Sequence, residues 1–407
     1  MNTRNILKSV LLVVIGITLF VKCNKKGDNF DYGREVILVS GTDSNPLVPF
    51  VVEDTPASYI VTASATGKVS EDVIVKFAQD NSLVEAYNEA RRTSYFPIPD
   101  SAIEMDGLEG IIKAGSALSS GVTVRVVSTD DFVDGRNYLI PVTIESVQGG
   151  SMEVLPASKT IYLRVSRVIN FNSLDISNPY FYGNYYADEP VDLPNYTFEI
   201  KCFINQWHPG SEPISRLCNF SPIDESITNL LRFGENGQDV NSLQWVTPGG
   251  GLISSTRFNT GQWYTISISF DGSSYVMYVD GVKDAELAGD RGTVFQRLEL
   301  GMSWFDSGNP GSSYPYRQRF LGRIAEIRLW DRALSTSELQ VGICGVDPGS
   351  EGLVAYWKLD EGEGFMFYDA TGNGYDMDWS EAWQNDQQYD KSSYVNWVFD
   401  DQNKCSQ

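Results

Sequence analysis

The sequence predicts an all-β protein made of two consecutive β-sandwiches. Short runs rich in β-branched residues, such as "SYIVTAS" and "TIYLRVS", recur in the first half and are separated by Gly, Asp, Asn and Ser, which is typical of sandwich strands. In the second half apolar and polar residues alternate with the period of two that strands with one buried face require. With 407 residues, of which 42% are hydrophobic and 12% aromatic, the chain can build more than one packed core.

The charge balance excludes one class of partner. The chain has 31 Lys and Arg residues against 53 Asp and Glu residues, a net charge of −22. Proteins that bind nucleic acid carry basic patches that displace counterions from phosphates. We therefore expect no nucleic-acid partner, and the composition is typical of an acidic exported protein.

Residues 1–23 have the pattern of an export signal. Arg4 and Lys8 precede the apolar run Ser9–Val21, which is shorter than the roughly 20 residues that a membrane span needs. Cys23 follows in "LFVKC", which resembles the lipobox of bacterial lipoproteins, although Lys22 replaces the small residue usual there. We expect a lipoprotein acylated at Cys23, anchored in the outer membrane and exposed at the cell surface. A plain secreted or signal-anchored form is the alternative.

Residues 30–167 are expected to form the first sandwich, interrupted by one helix. In "DNSLVEAYNEARR", Asp80 is the predicted N-cap, and Leu83, Tyr87 and Ala90 share the predicted buried face. The motifs "AYNEA", "IKAGSALSS" and "YLIPVTIES" resemble the immunoglobulin-like N-terminal domain, of unknown function, of Bacteroidota surface lipoproteins. The resemblance implies an architecture and a cellular location, but no chemistry.

Residues 168–407 are expected to form the second sandwich. In "QWYTISISFDGSSYVMYVDGVKD" apolar and polar residues alternate, and the Asp-Gly pairs at 271–272 and 280–281 predict tight turns between antiparallel strands. "FLGRIAEIRLWDRALSTSEL" predicts a strand and then a short helix, with Ser335 and Glu338 spaced as a capping box. Together these motifs resemble the laminin-G or concanavalin A-like lectin/glucanase superfamily, which implies a jelly roll.

The segment "GLVAYWKLD", residues 352–360, predicts a late strand. Leu353, Ala355, Trp357 and Leu359 form one apolar face, which must be buried against something. Too little chain follows for a new core of about 100 residues. We therefore assign this strand to the second sandwich, with a separate small domain as the alternative.

The remaining cysteines are Cys202, Cys218, Cys344 and Cys405. An even number in an oxidising compartment is compatible with disulfides, but sequence alone does not choose their pairing. One arrangement joins Cys202 to Cys218 across a hairpin and uses Cys344 and Cys405 to hold the tail. Buried free thiols are the alternative.

The sequence offers little for catalysis. His208 is the only histidine, which excludes His-rich zinc sites and disfavours a Ser-His-Asp triad. We find no strand with the alternating acids of a glucanase, and the acids of "LDEGEG" lie at a turn. A non-catalytic protein is therefore expected, with a carboxylate-dependent glycoside hydrolase as a less favoured alternative.

Aromatic residues in glycine-rich loops are the candidate binding residues, because sugars stack their CH faces on exposed rings. Asp, Asn and Arg nearby would bond to hydroxyl groups. The candidates are Trp304, Asp306, Asn309, Tyr314, Tyr316 and Arg317 in "GMSWFDSGNPGSSYPYRQRF", with Trp207 and Trp245 in two other loops. The alternative is that each ring covers the edge of the core.

One loop has the composition of a calcium site. In "DATGNGYD", Asp369, Asn373 and Asp376 supply hard oxygen ligands, and the glycines would let carbonyl groups converge. A metal-free Asx-Gly turn is the alternative. Calcium is the only cofactor that the sequence suggests.

These observations predict a lipid-anchored surface protein that captures a polysaccharide or host glycan, in the manner of outer-membrane glycan-uptake complexes. This role follows from resemblance, since one fold serves many functions. An adhesion or assembly protein that binds a protein partner is the alternative from another class.

Overall fold

The computed structural model describes residues 35–43, 45–53, 55–133, 135–208, 214–235, 237–301, 318–384 and 387–406. Within these ranges nearly all regular structure is strand, arranged in sandwich-like sheets. The all-β prediction is confirmed. The predicted leader and Cys23 lie outside the described residues, and none of the described helices is long and apolar enough to cross a membrane.

The N-terminal domain is a sandwich with one α-helix, α1 (Leu83–Arg91), and short 3-10 turns at Asp100–Ala102 and Pro156–Ser158. Its described strands are β1 (Val36–Val39), β2 (Leu47–Val51), β3 (Ala57–Val61), β4 (Ala63–Ala65), β5 (Val73–Gln79), β6 (Phe96–Pro97), β7 (Ile103–Asp106), β8 (Glu109–Ile112), β9 (Val122–Val126), β10 (Tyr138–Gln148), β11 (Glu153–Val154) and β12 (Thr160–Ser166). The largest sheet runs β2-β12-β10-β5-β8, with β6 on β10; β11-β1-β4 and β3-β9-β7 form smaller sheets. One core, including Phe77 and Leu163, fills the interior.

Helix α1 differs from the prediction in its start and in its buried face. It begins after Ser82, because the Asp80 carboxylate accepts hydrogen bonds from the backbone N–H (3.1 Å) and hydroxyl (2.6 Å) of Ser82 and forms a turn before the helix. The buried residue is Val84, whereas Ala90 is exposed.

The C-terminal domain contains helix α2 (Thr336–Val341) and 3-10 turns at Trp379–Glu381 and Ser392–Tyr394. Its described strands are β13 (Val168–Asn170), β14 (Ser173–Asp175), β15 (Gly183–Leu193), β16 (Tyr196–Ile204), β17 (Ser215–Ser221), β18 (Asn229–Phe233), β19 (Leu243–Thr247), β20 (Gly250–Ile253), β21 (Trp263–Phe270), β22 (Ser274–Val279), β23 (Val282–Ala288), β24 (Thr293–Leu300), β25 (Gly322–Trp330), β26 (Leu353–Trp357), β27 (Met366–Phe367), β28 (Met377–Asp378), β29 (Trp383–Gln384), β30 (Gln387–Gln388), β31 (Trp397–Val398) and β32 (Lys404–Ser406).

Two antiparallel sheets face each other in this domain. The first runs β23-β22-β21-β16-β25-β14-β31, with β26 also on β25; the second runs β20-β19-β18-β17-β24-β15-β29-β30. Between them lies one apolar core that includes Phe198 from the first sheet and Phe220 from the second, with ring centroids 4.8 Å apart. The outward face of the second sheet is therefore free to carry polar side chains.

Strand β26 belongs to this same sandwich. It pairs with β25, where Trp357 lies opposite Ile327, and Trp357 is fully buried in the shared core. The Trp357 indole N–H donates to the Tyr375 carbonyl oxygen at 2.7 Å. The late strand thus completes the jelly roll. Of the strands that follow it, β29 and β30 join the second sheet, β31 joins the first sheet and β32 pairs with β13.

The two domains meet at helix α2. The predicted capping box is present: Ser335 Oγ accepts from the Glu338 backbone N–H, and Glu338 accepts in return. After the helix, Asp347 pairs with Arg136, and the Asn137 side-chain amide donates to the Val341 carbonyl oxygen at 2.8 Å.

The four cysteines among the described residues divide into one bonded pair and two free thiols. Cys344 and Cys405 form a disulfide that ties β32 to the segment after α2. Cys202 and Cys218 are buried and free. The hairpin arrangement considered for them is wrong, because Cys202 lies on β16 in the first sheet and Cys218 on β17 in the second.

Candidate functional site

Strand register assembles a polar row on the outward face of the second sheet. Trp383 on β29 lies opposite Asn184 on β15, and Asn184 lies opposite Glu299 on β24. Glu299 in turn lies opposite Asn219 on β17. Because directly paired residues project to the same side of a sheet, these four side chains share one face.

A second row lies beside the first. Tyr186 is opposite Arg297, and Arg297 is opposite Ser221. We call the set Asn184, Tyr186, Asn219, Ser221, Arg297 and Glu299 the polar face. On β24, Leu298 and Leu300 point into the core. Arg297 and Glu299 alternate with them along the strand and therefore point outward.

Arg297 is held between two carboxylates. Its guanidinium lies 3.0 Å from Glu299 and also pairs with Glu225, while the Asn219 amide donates to the other Glu299 oxygen at 2.8 Å. Arg297 and Glu299 are each only 4% exposed. Burial raises the pKa of Glu299 above its usual value, and the charge of Arg297 acts in the opposite direction.

Two buried donors on this face have no partner among the described residues. They are the Arg297 Nε–H and the Ser221 hydroxyl. A buried polar group left without a hydrogen bond costs about 1–3 kcal/mol. Water or a ligand oxygen at either position would therefore stabilise the site.

Beside the polar face lies a cleft of about 200 Å³, which we call the Trp383 cleft. The residues that line it are Asn184, Tyr185, Tyr186, Asp376, Met377, Asp378, Trp379, Glu381, Ala382 and Trp383. Trp383 is 40% exposed, and the Tyr186 ring stands edge-on to it with centroids 6.2 Å apart. The cleft thus offers an aromatic surface surrounded by amide, hydroxyl and carboxylate groups.

The tail holds Trp383 in place. Four residues earlier, the buried Trp379 stacks on Phe181 with ring centroids 4.8 Å apart and an interplanar angle of 14°. Gly183 allows the close approach, since a Cβ there would lie 3.1 Å from the Ala382 Cβ and 3.2 Å from the Trp383 carbonyl oxygen. A side chain at 183 would therefore force the neighbouring tail residues to shift slightly.

Trp304, Asp306, Asn309, Tyr314, Tyr316 and Arg317, the main predicted binding residues, lie outside the described residues. The flanking positions are described. Leu300 lies opposite Gly183, and the Gln318 carbonyl oxygen accepts from the Arg216 backbone N–H at 2.8 Å. The described residues on either side of this segment thus contact strands of the second sheet, Leu300 on β24 and Gln318 through its bond to β17.

The two remaining predicted aromatics differ from each other. Trp245 is fully buried, and its indole N–H donates to Asn229 at 3.3 Å. Its assignment as a binding residue is wrong, because it is an inward residue of β19 rather than part of the following glycine turn. Trp207 is half-buried and packs on Phe233 with ring centroids 5.6 Å apart.

The predicted calcium loop is held by protein hydrogen bonds. Asp369 is 7% exposed and accepts from the backbone N–H groups of Tyr356 (3.0 Å) and Thr371 (3.1 Å). Asp376 accepts from the Asp369 N–H, and Asn373 donates to carbonyl oxygens of β26. These bonds fasten the loop to β26. The described residues contain no group of three or more His, Cys, Asp or Glu placed to hold a metal ion.

A second cavity, of about 360 Å³, lies between the domains. Most of its charged residues have protein partners: Glu338 binds Arg332 at 2.8 Å, and Asp347 binds Arg136. Because those partners satisfy most of its charges, this cavity is the weaker candidate for ligand binding.

Sequence reasoning missed Trp383 and the polar face. The local signal was present, because "RLEL" alternates charged and apolar residues and "WSEAW" contains two tryptophans. That Trp383 meets Asn184 depends on pairing between distant segments. No local pattern reveals that contact.

Two family models match different parts of the chain. A family model described as an N-terminal domain matches residues 30–151, and the model of the concanavalin A-like lectin/glucanases superfamily matches residues 218–340. No curated protein matches the chain.

Several solved structures are similar in fold. A candidate carbohydrate-binding protein from Bacteroides ovatus is 20% identical, with a TM-score of 0.52 over 83% of this chain and 94% of its own. A two-domain protein of unknown function from Bacteroides fragilis is 11% identical, with a TM-score of 0.29 over 66% of this chain and 88% of its own. At 20% identity the likeness to the Bacteroides ovatus protein concerns the fold alone.

Proposed function

We propose, from the membership of residues 218–340 in the concanavalin A-like lectin/glucanase superfamily, that this protein is a non-catalytic glycan-binding protein whose ligand lies in the Trp383 cleft. The observation that carries the proposal is the 40% exposed indole of Trp383, which follows the buried Trp379 and Ala382 and is flanked edge-on by Tyr186. This ring lines a cleft and is therefore accessible to a ligand that enters it. Its flat face suits the CH face of a sugar ring.

Hydrogen-bonding groups surround that ring. The Asn184 amide donates to the Tyr186 hydroxyl at 3.4 Å, a long bond that ligand hydroxyls can compete with. Glu381 is exposed at the rim. A few placed polar groups around an aromatic surface are the usual composition of a small-ligand site.

The geometry of the carboxylates argues against glycoside hydrolysis. A hydrolase needs one carboxyl group protonated to act as an acid and a second one ionised. Here the Arg297 guanidinium binds both Glu225 and Glu299, and the second Glu299 oxygen accepts from the Asn219 amide, so both carboxyl groups are already engaged by protein partners. We therefore assign these residues to binding and structure.

The likeness in fold to the candidate carbohydrate-binding protein from Bacteroides ovatus supports the same function.

We also propose that acylation of Cys23 anchors the protein to the outer membrane, within a glycan-uptake complex. A Cys23→Ala variant should then leave the membrane fraction, and retention of that variant in the membrane would contradict the anchor.

A glycan array probed with the purified protein and with a Trp383→Ala variant tests the binding function. We expect retention of at least one glycan and a loss of affinity of about tenfold or more in the variant, because the central aromatic contact is removed. Phe399→Ala is the matched control, since Phe399 is 67% exposed and lies outside the cleft.

Two outcomes would contradict the proposal. Absence of retention across neutral, acidic and amino-sugar glycans would exclude a glycan ligand, and protein pull-down without glycan retention would favour adhesion. Equal glycan binding by the Trp383→Ala variant would place the site elsewhere.

A further inference from the structure

We propose that the Trp383 cleft selects neutral glycans and rejects those that carry carboxylate, sulfate or phosphate groups. This inference rests on the proposed glycan-binding function and adds the ligand class.

The charged groups that line the cleft are all acidic. They are Asp376, Asp378 and Glu381, and no lysine, arginine or histidine is among the described lining residues. Within the Debye length of about 8 Å at physiological salt, such carboxylates repel an anionic ligand. A neutral sugar meets no such repulsion and can use the same oxygens as acceptors for its hydroxyl groups.

Two cations of the described residues lie close to the cleft residues, and each is paired or buried. Arg297, opposite Tyr186, pairs with Glu299 and Glu225. Lys391 packs close to Gly183, but it is only 2% exposed and sits over the Tyr182 ring at 4.4 Å. Neither group offers the exposed positive charge that recognition of an anionic sugar requires.

The groups that do face the cleft suit a neutral sugar. Trp383 and Tyr186 supply the aromatic surface, and the Asn184 side chain supplies an amide. The Asp378 carboxylate is oriented by two bonds from Ser380, through its backbone N–H (3.0 Å) and its hydroxyl (2.6 Å). Acceptors fixed in this way favour ligands rich in hydroxyl groups.

The test uses the neutral glycan most strongly retained on an array and the same glycan oxidised at C6 to a uronate. We expect oxidation to weaken binding about tenfold or more. Binding of the neutral form should change by less than about twofold between about 50 mM and about 500 mM NaCl, since screening acts only on charged pairs.

Variants that each remove one negative charge show which carboxylate repels anionic glycans. Glu381→Gln should increase affinity for the oxidised glycan, whereas Glu363→Gln, an exposed acid outside the cleft, should not. Preferential retention of acidic glycans, with affinity falling steeply as salt rises, would overturn this inference while leaving glycan binding intact. Absence of retention of every glycan would instead contradict the proposed function itself.

Discussion

At the scale of single residues, Arg297 connects two carboxylates at the polar face. It is 4% exposed and pairs with Glu299 and Glu225. Removing one partner of a buried ion pair leaves an uncompensated charge, which costs far more than replacing both partners by apolar groups.

The variant Arg297→Met should therefore lower the free energy of unfolding by about 3–5 kcal/mol. The double variant Arg297→Met, Glu299→Leu should recover most of that loss. Urea denaturation followed by tryptophan fluorescence measures both. An equal loss in the single and double variants would show that the ion pair is not what stabilises this face.

Lys391 supplies a prediction about pH. Burial lowers the pKa of its ammonium group from 10.5 to about 8, so the folded protein releases this proton at a lower pH than the unfolded chain. Below about pH 8 both states are protonated and the folded state carries the full cost of a buried charge. As pH rises from about 8 to about 10.5 that cost is lost, and stability increases.

Relative to Lys391→Met, the wild type should gain up to about 3 kcal/mol across this window, since each pH unit contributes about 1.4 kcal/mol. Denaturation at a series of pH values for both proteins measures the difference. If the free energies of unfolding of the two proteins change in parallel from about pH 8 to 10.5, the lowered pKa of Lys391 is contradicted.

At the scale of elements, β26 closes the jelly roll. Trp357 is fully buried there and contacts Tyr185 and Phe295 with ring centroids 6.3 and 6.2 Å away. Because a large cavity would remain, Trp357→Ala should destabilise the C-terminal domain by about 3–5 kcal/mol. Phe399→Ala, which removes an exposed ring, should change stability by less than about 0.5 kcal/mol. Thermal or urea denaturation compares the two, and similar effects would mean that β26 is not part of the core.

The strands themselves could be predicted because their signals are local. The strand β21, the capping box of α2 and the apolar face of β26 match the structure, although both faces of β21 are buried rather than one. The error at Trp245 arose close to a strand end, because the glycine turn that follows β19 made an inward strand residue resemble a loop residue. The predicted start of α1 was wrong for a similar reason, because Asp80 bonds to Ser82 in a turn before the helix begins.

The binding cleft could not be predicted, because it depends on contacts between distant parts of the chain. Trp383 becomes a site residue only through its pairing with Asn184. The same tail contains Trp379, which is 1% exposed. Sequence alone does not distinguish the exposed ring from the buried one.

At the scale of the whole molecule, the C-terminal tail fastens the connection between the domains. Strand β32 pairs with β13, the strand that follows the N-terminal domain, and Cys405 is bonded to Cys344. Cys344 lies three residues before Asp347, which pairs with Arg136 of the N-terminal domain. The linker, the tail and the docking segment are thus joined in one unit.

The double variant Cys344→Ser, Cys405→Ser should lose about 2–4 kcal/mol of stability, because the disulfide closes a long loop in the unfolded chain. Cleavage near residues 167–172 by a nonspecific protease should also become faster. Reductant should have the same effects on the wild type and none on the variant. Unchanged cleavage after reduction would show that β32 holds the linker without the disulfide.

The central claim is that the Trp383 cleft binds a sugar ring. A crystal structure of the protein with the neutral glycan most strongly retained on an array tests it most directly. We predict a sugar ring stacked on the Trp383 indole, with hydroxyl groups bonded to Asn184, Tyr186 or Asp378. A glycan bound in the cavity between the domains, or anywhere that leaves Trp383 in solvent, would contradict the claim.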